Sequence, residues 1–366
     1  MKKILLLCQQ GGCPIEVSPA RYQLIHELKK RNYKVYVFYL GTIRNQSIRS
    51  DIDYLVNTKY MSSHSIRKKI FEISPEFVVA FTYEDTKILY QIAWIMKQTN
   101  FVYFNLEIYT PWMERYIQPK GKFLELRCRI TYIHNKFKEI LFTKQCKMFV
   151  IQDKLRKITA KKYFISHKNT ILVPNTYSYV GMSENEIERQ GVIYSGSLLK
   201  VVLESLLSDE MIISDIPLTF MGWSDDWFRE KYKKLSKNAK NLKFCDQKLE
   251  PDAFTDFLGK FAIGLVMYTP SEDDNIDKIG LASGKFFRHL SLCQPVIVVD
   301  SPGISKVVRK YKLGVVIQDV GEIGKAYKLI MENYAYYQKN IERIYKEKFE
   351  YRKAINLFML QLEKME

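Results

Sequence analysis

The chain has 366 residues, with 57 Lys and Arg against 40 Asp and Glu, giving a net charge of +17. Its 47% apolar content is enough to fill real cores, which excludes a disordered chain, and the length suggests two domains. No run approaches the roughly 18 apolar residues that a membrane span requires.

The first strand is expected at Lys3–Leu7, followed by a glycine turn over Gln9–Pro14. The opening Met-Lys-Lys carries the charge of a signal peptide. Its apolar run is short and ends in Gln-Gln-Gly-Gly, so a buried strand explains it better. From Pro19, Tyr22, Ile25 and Leu28 fall at helical spacing up to Arg31-Asn32, and Tyr33–Leu40 reads as a second strand. This is a βαβ start. Strands are expected at 77–81, 101–104, 147–151 and 170–173, with a helix over 86–98. Residues 174–190 read as a linker. A second series of strands follows at 191–195, 217–221, 242–245, 262–267, 295–299 and 314–317, and the stretch 322–366 is helical in pattern.

The charge is unevenly placed. Residues 1–180 hold 30 Lys and Arg against 13 Asp and Glu, whereas residues 181–366 hold 27 of each. A basic half beside a neutral one points to an anionic partner, such as membrane lipid, a lipid diphosphate or nucleic acid; the alternative is a lysine-rich surface that aids solubility. Across Lys120–Lys147, basic residues alternate with Phe123, Leu126, Ile130, Ile133, Phe137, Ile140 and Leu141, giving an amphipathic helix. It reads either as a membrane-surface helix or as a packed helix with a solvated basic face. The six cysteines (8, 13, 128, 146, 245, 293) and five histidines show no paired or metal-ligand spacing, and reduced thiols are expected.

The most informative stretch runs from Ser283 to Val298. Ser283, Gly284 and Lys285 open a helix, where free backbone N–H groups and the dipole favour an anion. Lys285 puts a cation in the first turn, which is unfavourable unless an anion compensates it. Ser283 is also a good N-cap, so an ordinary helix start is the competing reading. Ser195, Gly196 and Ser197 form a second strand-to-helix loop, with Lys200 beyond it. Gly11-Gly12 would let a ligand approach the backbone after the first strand. Glu107, after the 101–104 strand, is a candidate base, and Tyr83-Glu84-Asp85 is a second carboxylate candidate. The acidic run Ser271–Asn275 reads as a solvated loop rather than a metal site.

These motifs, in this order, resemble the GT-B-fold glycosyltransferases, above all bacterial polysaccharide enzymes of the family 4 type. The resemblance is carried by Lys285-Phe-Phe-Arg-His-Leu-Ser-Leu-Cys-Gln-Pro-Val-Ile-Val, Ile193-Tyr-Ser-Gly-Ser-Leu, Ile171-Leu-Val-Pro-Asn-Thr and Leu242-Lys-Phe-Cys-Asp. Two features depart from the family pattern. Gly280 and Arg288 stand where a pair of Glu is usual, and Cys293 replaces a small Gly. Arg cannot accept the ribose hydrogen bonds that the second Glu would accept.

The resemblance implies an α/β fold with two Rossmann-like domains facing across a cleft. Residues 1–178 would bind the acceptor, with the C-terminal helix (about 345–366) packing back on them, and residues 179–344 would bind the nucleotide sugar. The implied donor contacts are Gly12, Ser195, Gly196, Ser197, Lys200, Phe244, Cys245, Asp246, Ser283, Gly284, Lys285 and Arg288, with Glu107 as the catalytic candidate. The implied reaction moves a sugar from a nucleotide-diphosphate sugar, a UDP-sugar above others, to a hydroxyl of a glycan or lipid-linked glycan. It would proceed with retention and without a metal or other cofactor. The expected setting is cytoplasmic, with peripheral contact of the basic half on the inner face of the cell membrane, and without nucleic acid. A non-catalytic GT-B partner subunit and a nucleotide-sugar 2-epimerase remain alternatives, and the basic half also allows a nucleic-acid binder, although no such motif is present.

Overall fold

The computed structural model describes residues 1–10, 15–116, 122–181, 189–204, 207, 216–237, 239–247, 249–268 and 273–365. The chain divides into two compact units. One comprises Met1–Asn175, Glu272–Lys278 and Lys353–Glu366; the other comprises Thr176–Ser271 and Ile279–Arg352.

The first unit is built on a parallel seven-stranded sheet. Its strands are β1 (Lys3–Cys8), β2 (Lys34–Tyr39), β3 (Tyr54–Asn57), β4 (Phe77–Ala80), β5 (Asn100–Phe104), β6 (Met148–Ile151) and β7 (Thr170–Leu172). Their order is β3-β2-β1-β4-β5-β6-β7. The central strands read as unbroken apolar runs because helices cover both faces of a parallel sheet; Ile4–Leu7 and Val78–Ala80 are fully buried. The helix Tyr351–Lys364 adds to this core, with Phe358 packed against Phe104 at 5.7 Å between ring centroids.

The second unit repeats the pattern with six parallel strands: β8 (Val192–Ser195), β9 (Leu218–Met221), β10 (Leu242–Cys245), β11 (Ile263–Val266), β12 (Val296–Val299) and β13 (Gly314–Ile317). Their order is β10-β9-β8-β11-β12-β13. In both sheets the strand order reverses once, between β1 and β4 and between β8 and β11. In open α/β sheets ligands bind beyond the carboxyl ends of the strands at this reversal. The topology therefore marks two loop clusters: Gln9-Gln10 with Thr82–Asp85, and Gly196-Ser197 with Met267-Tyr268.

Three elements differ from the sequence expectation. Strand β3 carries too little apolar pattern to stand out, since it is a four-residue edge strand with one buried side chain, whereas the helix Ser63–Ile73 carries Ile66, Ile70 and Ile73 at helical spacing and was open to the same reading as the first helix. The helix expected over 86–98 runs over Tyr83–Ile92, because Thr82 and Asp85 form a capping box that fixes an earlier start. Of the acidic run, Ser271 and Glu272 lie outside the described residues, and Asp273 and Asp274 are not solvated. Asp273 is 2% exposed and accepts from the Thr110 hydroxyl at 2.7 Å. Asp274 accepts from Lys162, Lys278 and Tyr163, so this short segment is clamped into the first unit.

His289 lies wholly buried on the helix Gly284–Ser291, with Nδ1 2.8 Å from Gln294 Oε1. Burial holds its pKa down at about 4. A histidine whose folded pKa is depressed contributes stability that is present above its unfolded value of about 6.5 and lost as pH falls through the folded value. Urea unfolding should therefore show about 2 kcal/mol of stability lost between pH 7 and 5 that His289→Gln does not lose. Equal slopes in wild type and variant would refute this assignment.

Candidate functional site

The helix Gly284–Ser291 begins at the carboxyl edge of the second sheet. Ser283 caps it, its Oγ accepting from the Phe286 N–H at 3.1 Å. The same Oγ lies 2.7 Å from the hydroxyl of Tyr268, the second residue beyond β11. The Lys285 side chain crosses to the loop after β8. Its Nζ donates to the Tyr194 hydroxyl at 3.0 Å and lies 4.2 Å from the centre of the Tyr194 ring and 5.3 Å from that of Tyr268. Among the described residues no carboxylate pairs with this ammonium, and burial holds its pKa below the usual lysine value.

Gly196 makes the approach sterically feasible. A Cβ at that position would lie 3.0 Å from Lys285 Cε and Nζ, and φ there is +148°. Gly222, beyond β9, backs the same loop, and a Cβ there would lie 1.8 Å from the Gly196 carbonyl oxygen. Two motifs distant in sequence, Ser195–Ser197 and Ser283–Lys285, thus form one cluster. It combines a cation without a carboxylate partner among the described residues, a capped helix start and a glycine loop whose Gly196 N–H donates to the Met221 carbonyl at 2.9 Å; the cation and the helix start suit a polyanion such as a diphosphate.

A second cluster occupies the reversal of the first sheet. Asp85 is fully buried and accepts from the backbone N–H groups of Gln9 and Phe81 at 2.8 Å and of Thr82 at 2.9 Å. Burial pushes its carboxyl up to about 7, against Arg21 and those three donors. The carboxylate ties the end of β1 to the end of β4. Glu107, beyond β5, accepts from Gln10 Nε2 at 2.7 Å. Gln10 in turn accepts from Arg21 at 2.9 Å, and Arg156 donates to the Leu106 carbonyl at 3.1 Å. Burial first, and then the neighbouring Glu84, raise the Glu107 pKa; Arg21 and Arg156 oppose them. The two carboxylate candidates of the sequence, Glu107 and Glu84, thus share one electrostatic environment. Among the described residues no three His, Cys, Asp or Glu side chains gather as a metal site.

No family model and no curated protein matches the sequence. Solved structures do match the fold over its whole length. HepE from Anabaena, solved with UDP and glucose, has a TM-score of 0.71 at 12% identity, with 100% of each chain covered. Sucrose-phosphate synthase from Thermosynechococcus elongatus has a TM-score of 0.67 at 12% identity, covering 100% of this chain and 98% of that one. WaaG, a glycosyltransferase involved in lipopolysaccharide biosynthesis, has a TM-score of 0.64 at 14% identity, covering 96% and 98%. The chain has the GT-B fold.

In this GT-B chain the other residues singled out by sequence are placed unequally. Gly12 lies outside the described residues. Lys200 opens the helix Lys200–Leu203, and its exposed ammonium lies 3.6 Å from Glu204 rather than in the Lys285 cluster. Phe244 packs on Phe228 and Tyr232 at 5.1 and 5.5 Å between centroids, as part of the core. Cys245 is a half-buried free thiol beside it, and Asp246 lies exposed 3.7 Å from Arg229. Their strand end is level with Met221. Arg288 lies over the Tyr177 ring at 4.3 Å and donates to its hydroxyl at 2.7 Å. Phe254 flanks the same guanidinium at 5.0 Å.

Sequence reasoning missed Tyr194, Tyr268, Arg21 and Arg156. Arg21 shares helical spacing with the buried Ile25 and Leu28, and a charge on an apolar stripe was the available signal. Tyr194 lay inside a motif already singled out, but nothing in the sequence shows that its hydroxyl meets Lys285.

A cation set among aromatic faces without a carboxylate adds little to folding, because its desolvation offsets its contacts. Lys285→Met keeps the aliphatic stem and should leave urea stability within about 1 kcal/mol of wild type. A loss of several kcal/mol would make Lys285 a structural residue.

Proposed function

We propose that this protein transfers a sugar from a nucleotide-diphosphate sugar to a hydroxyl of a glycan or lipid-linked glycan acceptor. The observation that carries this reading is the Lys285 ammonium at the start of a capped helix, held against Gly196 and bonded to the Tyr194 hydroxyl, with no carboxylate partner among the described residues. In this reading the second unit binds the donor diphosphate through Lys285, the Ser283–Lys285 backbone and the Gly196 loop. Negative charge grows on the diphosphate as the glycosidic bond breaks, and Lys285 with the helix N-terminus stabilises it without a metal ion. UDP is the proposed nucleotide. The complexes of HepE with UDP support that choice through likeness of fold. Retention follows from the family resemblance.

Glu107 is proposed to orient or deprotonate the acceptor hydroxyl in the first unit. Burial and Glu84 favour the protonated acid, so a larger fraction of Glu107 becomes a competent base as pH rises through its raised pKa. A second reading, a non-catalytic partner subunit, is favoured by Arg288. That side chain stands where a ribose-binding Glu is usual and is already engaged by Tyr177.

Calorimetry with UDP, GDP, CMP and their sugars separates the two readings. Micromolar binding of one nucleotide is expected, weakened at least about tenfold by Lys285→Ala. A folded protein that binds none of them would leave the partner-subunit reading. With a donor in hand, Glu107→Gln should lower kcat by roughly 10² to 10⁴-fold and remove the rise of rate with pH, with donor affinity unchanged. An unaltered pH profile would remove Glu107 from the chemistry.

A further inference from the structure

Glu107 stands in a loop of the first unit whose backbone is pinned on both sides of it. Before it, the Leu106 N–H donates to the Phe81 carbonyl at 3.0 Å, and the Leu106 carbonyl accepts from Arg156 Nη2 at 3.1 Å. After it, the Ile108 N–H donates to Asn275 Oδ1 at 3.1 Å. Two residues further on, the Thr110 hydroxyl donates to Asp273 Oδ1 at 2.7 Å.

The pins are joined to one another. Arg156 Nη1 donates to the Asn275 carbonyl at 3.2 Å, and the Asn275 N–H donates to Asp273 Oδ1 at 3.0 Å. Arg156 lies fully buried on the helix Lys154–Lys162, and its Nε donates to Gln152 Oε1 at 3.1 Å. Gln152 in turn donates to the Asn105 carbonyl at 2.6 Å. Asn275 reaches the Glu107 loop from 167 residues away in sequence. Its segment, Glu272–Lys278, belongs to the first unit, although the chain before and after it belongs to the second.

A buried guanidinium is a costly way to hold two carbonyls, because its desolvation must be offset. Its charge does something that a neutral amide would not. Arg156 opposes burial and Glu84 at Glu107, and opposes burial at Asp273, favouring the ionised form of both. Asn275 carries no charge, so its effect on Glu107 runs through the backbone it holds.

We propose, on the reading of Glu107 as the base for the acceptor hydroxyl, that Asn275 and Arg156 are its positioning residues. Asn275 fixes the backbone after Glu107; Arg156 fixes the backbone before it and supplies a counter-charge. Wild type is compared with Glu107→Gln, Asn275→Ala, Asn275→Asp and Arg156→Gln. Asn275→Ala should lower kcat by about tenfold or more, with donor affinity and far-UV circular dichroism unchanged. Asn275→Asp keeps an acceptor oxygen and should recover most of that loss. Arg156→Gln removes a charge that lowers the Glu107 pKa, so the rise of rate with pH should move about one unit higher. The same shift is read without donor or acceptor by NMR of a chain labelled with carboxyl-13C glutamate, the Glu107 resonance being the one that Glu107→Gln lacks. Asn275→Ala at wild-type kcat, with Glu107→Gln impaired, overturns the positioning role and leaves Glu107 as the base. Loss of donor affinity or of fold in Asn275→Ala overturns it too, by making Asn275 a structural residue. A Glu107 titration that Arg156→Gln does not move overturns the part given to Arg156. Glu107→Gln at wild-type kcat removes the base itself, and the positioning role with it.

Discussion

The contact between Lys285 and the glycine loop after β8 is the constraint on which the second unit's site depends. An ammonium partly withdrawn from water needs compensation, and here it comes from the Tyr194 hydroxyl and two aromatic faces. A side chain at position 196 would be strained by the backbone φ of +148° and would displace the end of Lys285, and the Gly196 carbonyl tolerates none at position 222. Residues from three strand ends and one helix start are thereby interlocked around one charge. The helix dipole makes a cation at that end costly in the absence of an anion.

The first unit uses charge differently at the equivalent place. Asp85 is enclosed by backbone donors and serves the architecture, joining the ends of β1 and β4. Among the described residues Glu107 has the Gln10 amide as its hydrogen-bond partner and Glu84 as a like-charged neighbour, while Arg21 and Arg156 favour its charged form. A carboxylate with one hydrogen bond and a raised pKa has capacity left for another proton or hydroxyl; one saturated by three N–H groups does not. The two carboxylates differ in what surrounds them rather than in residue type.

The unequal charge of the two halves has a structural counterpart. The basic excess of residues 1–180 is joined on one helix by a row of large apolar side chains that the fold leaves outside. Charge alone is compatible with solubility, and apolar exposure alone is compatible with self-association. The fold sets both on one surface, with Glu125 and Glu139 of the helix paired to Arg129 and Lys136.

Much of the fold was legible in the sequence because strands buried on both faces must be continuously apolar. Runs such as Ile4–Leu7 and Val296–Val298 can therefore be read directly. Ser283, Gly284 and Lys285 were legible as a helix start because capping is local chemistry. Strand β3 was not, because an edge strand with one buried side chain imposes little pattern. The sequence by itself determined two parallel α/β halves and the residue types of the Lys285 cluster. Only the tertiary structure brought Lys285 to Gly196 and Tyr194, left Lys200 on the surface with Glu204, joined Glu107 to Gln10 and Arg21, and turned the Phe123–Phe137 stripe outward. Helical periodicity reports that a face is apolar. Which face is covered depends on packing against elements far away in the chain, and no local pattern encodes that.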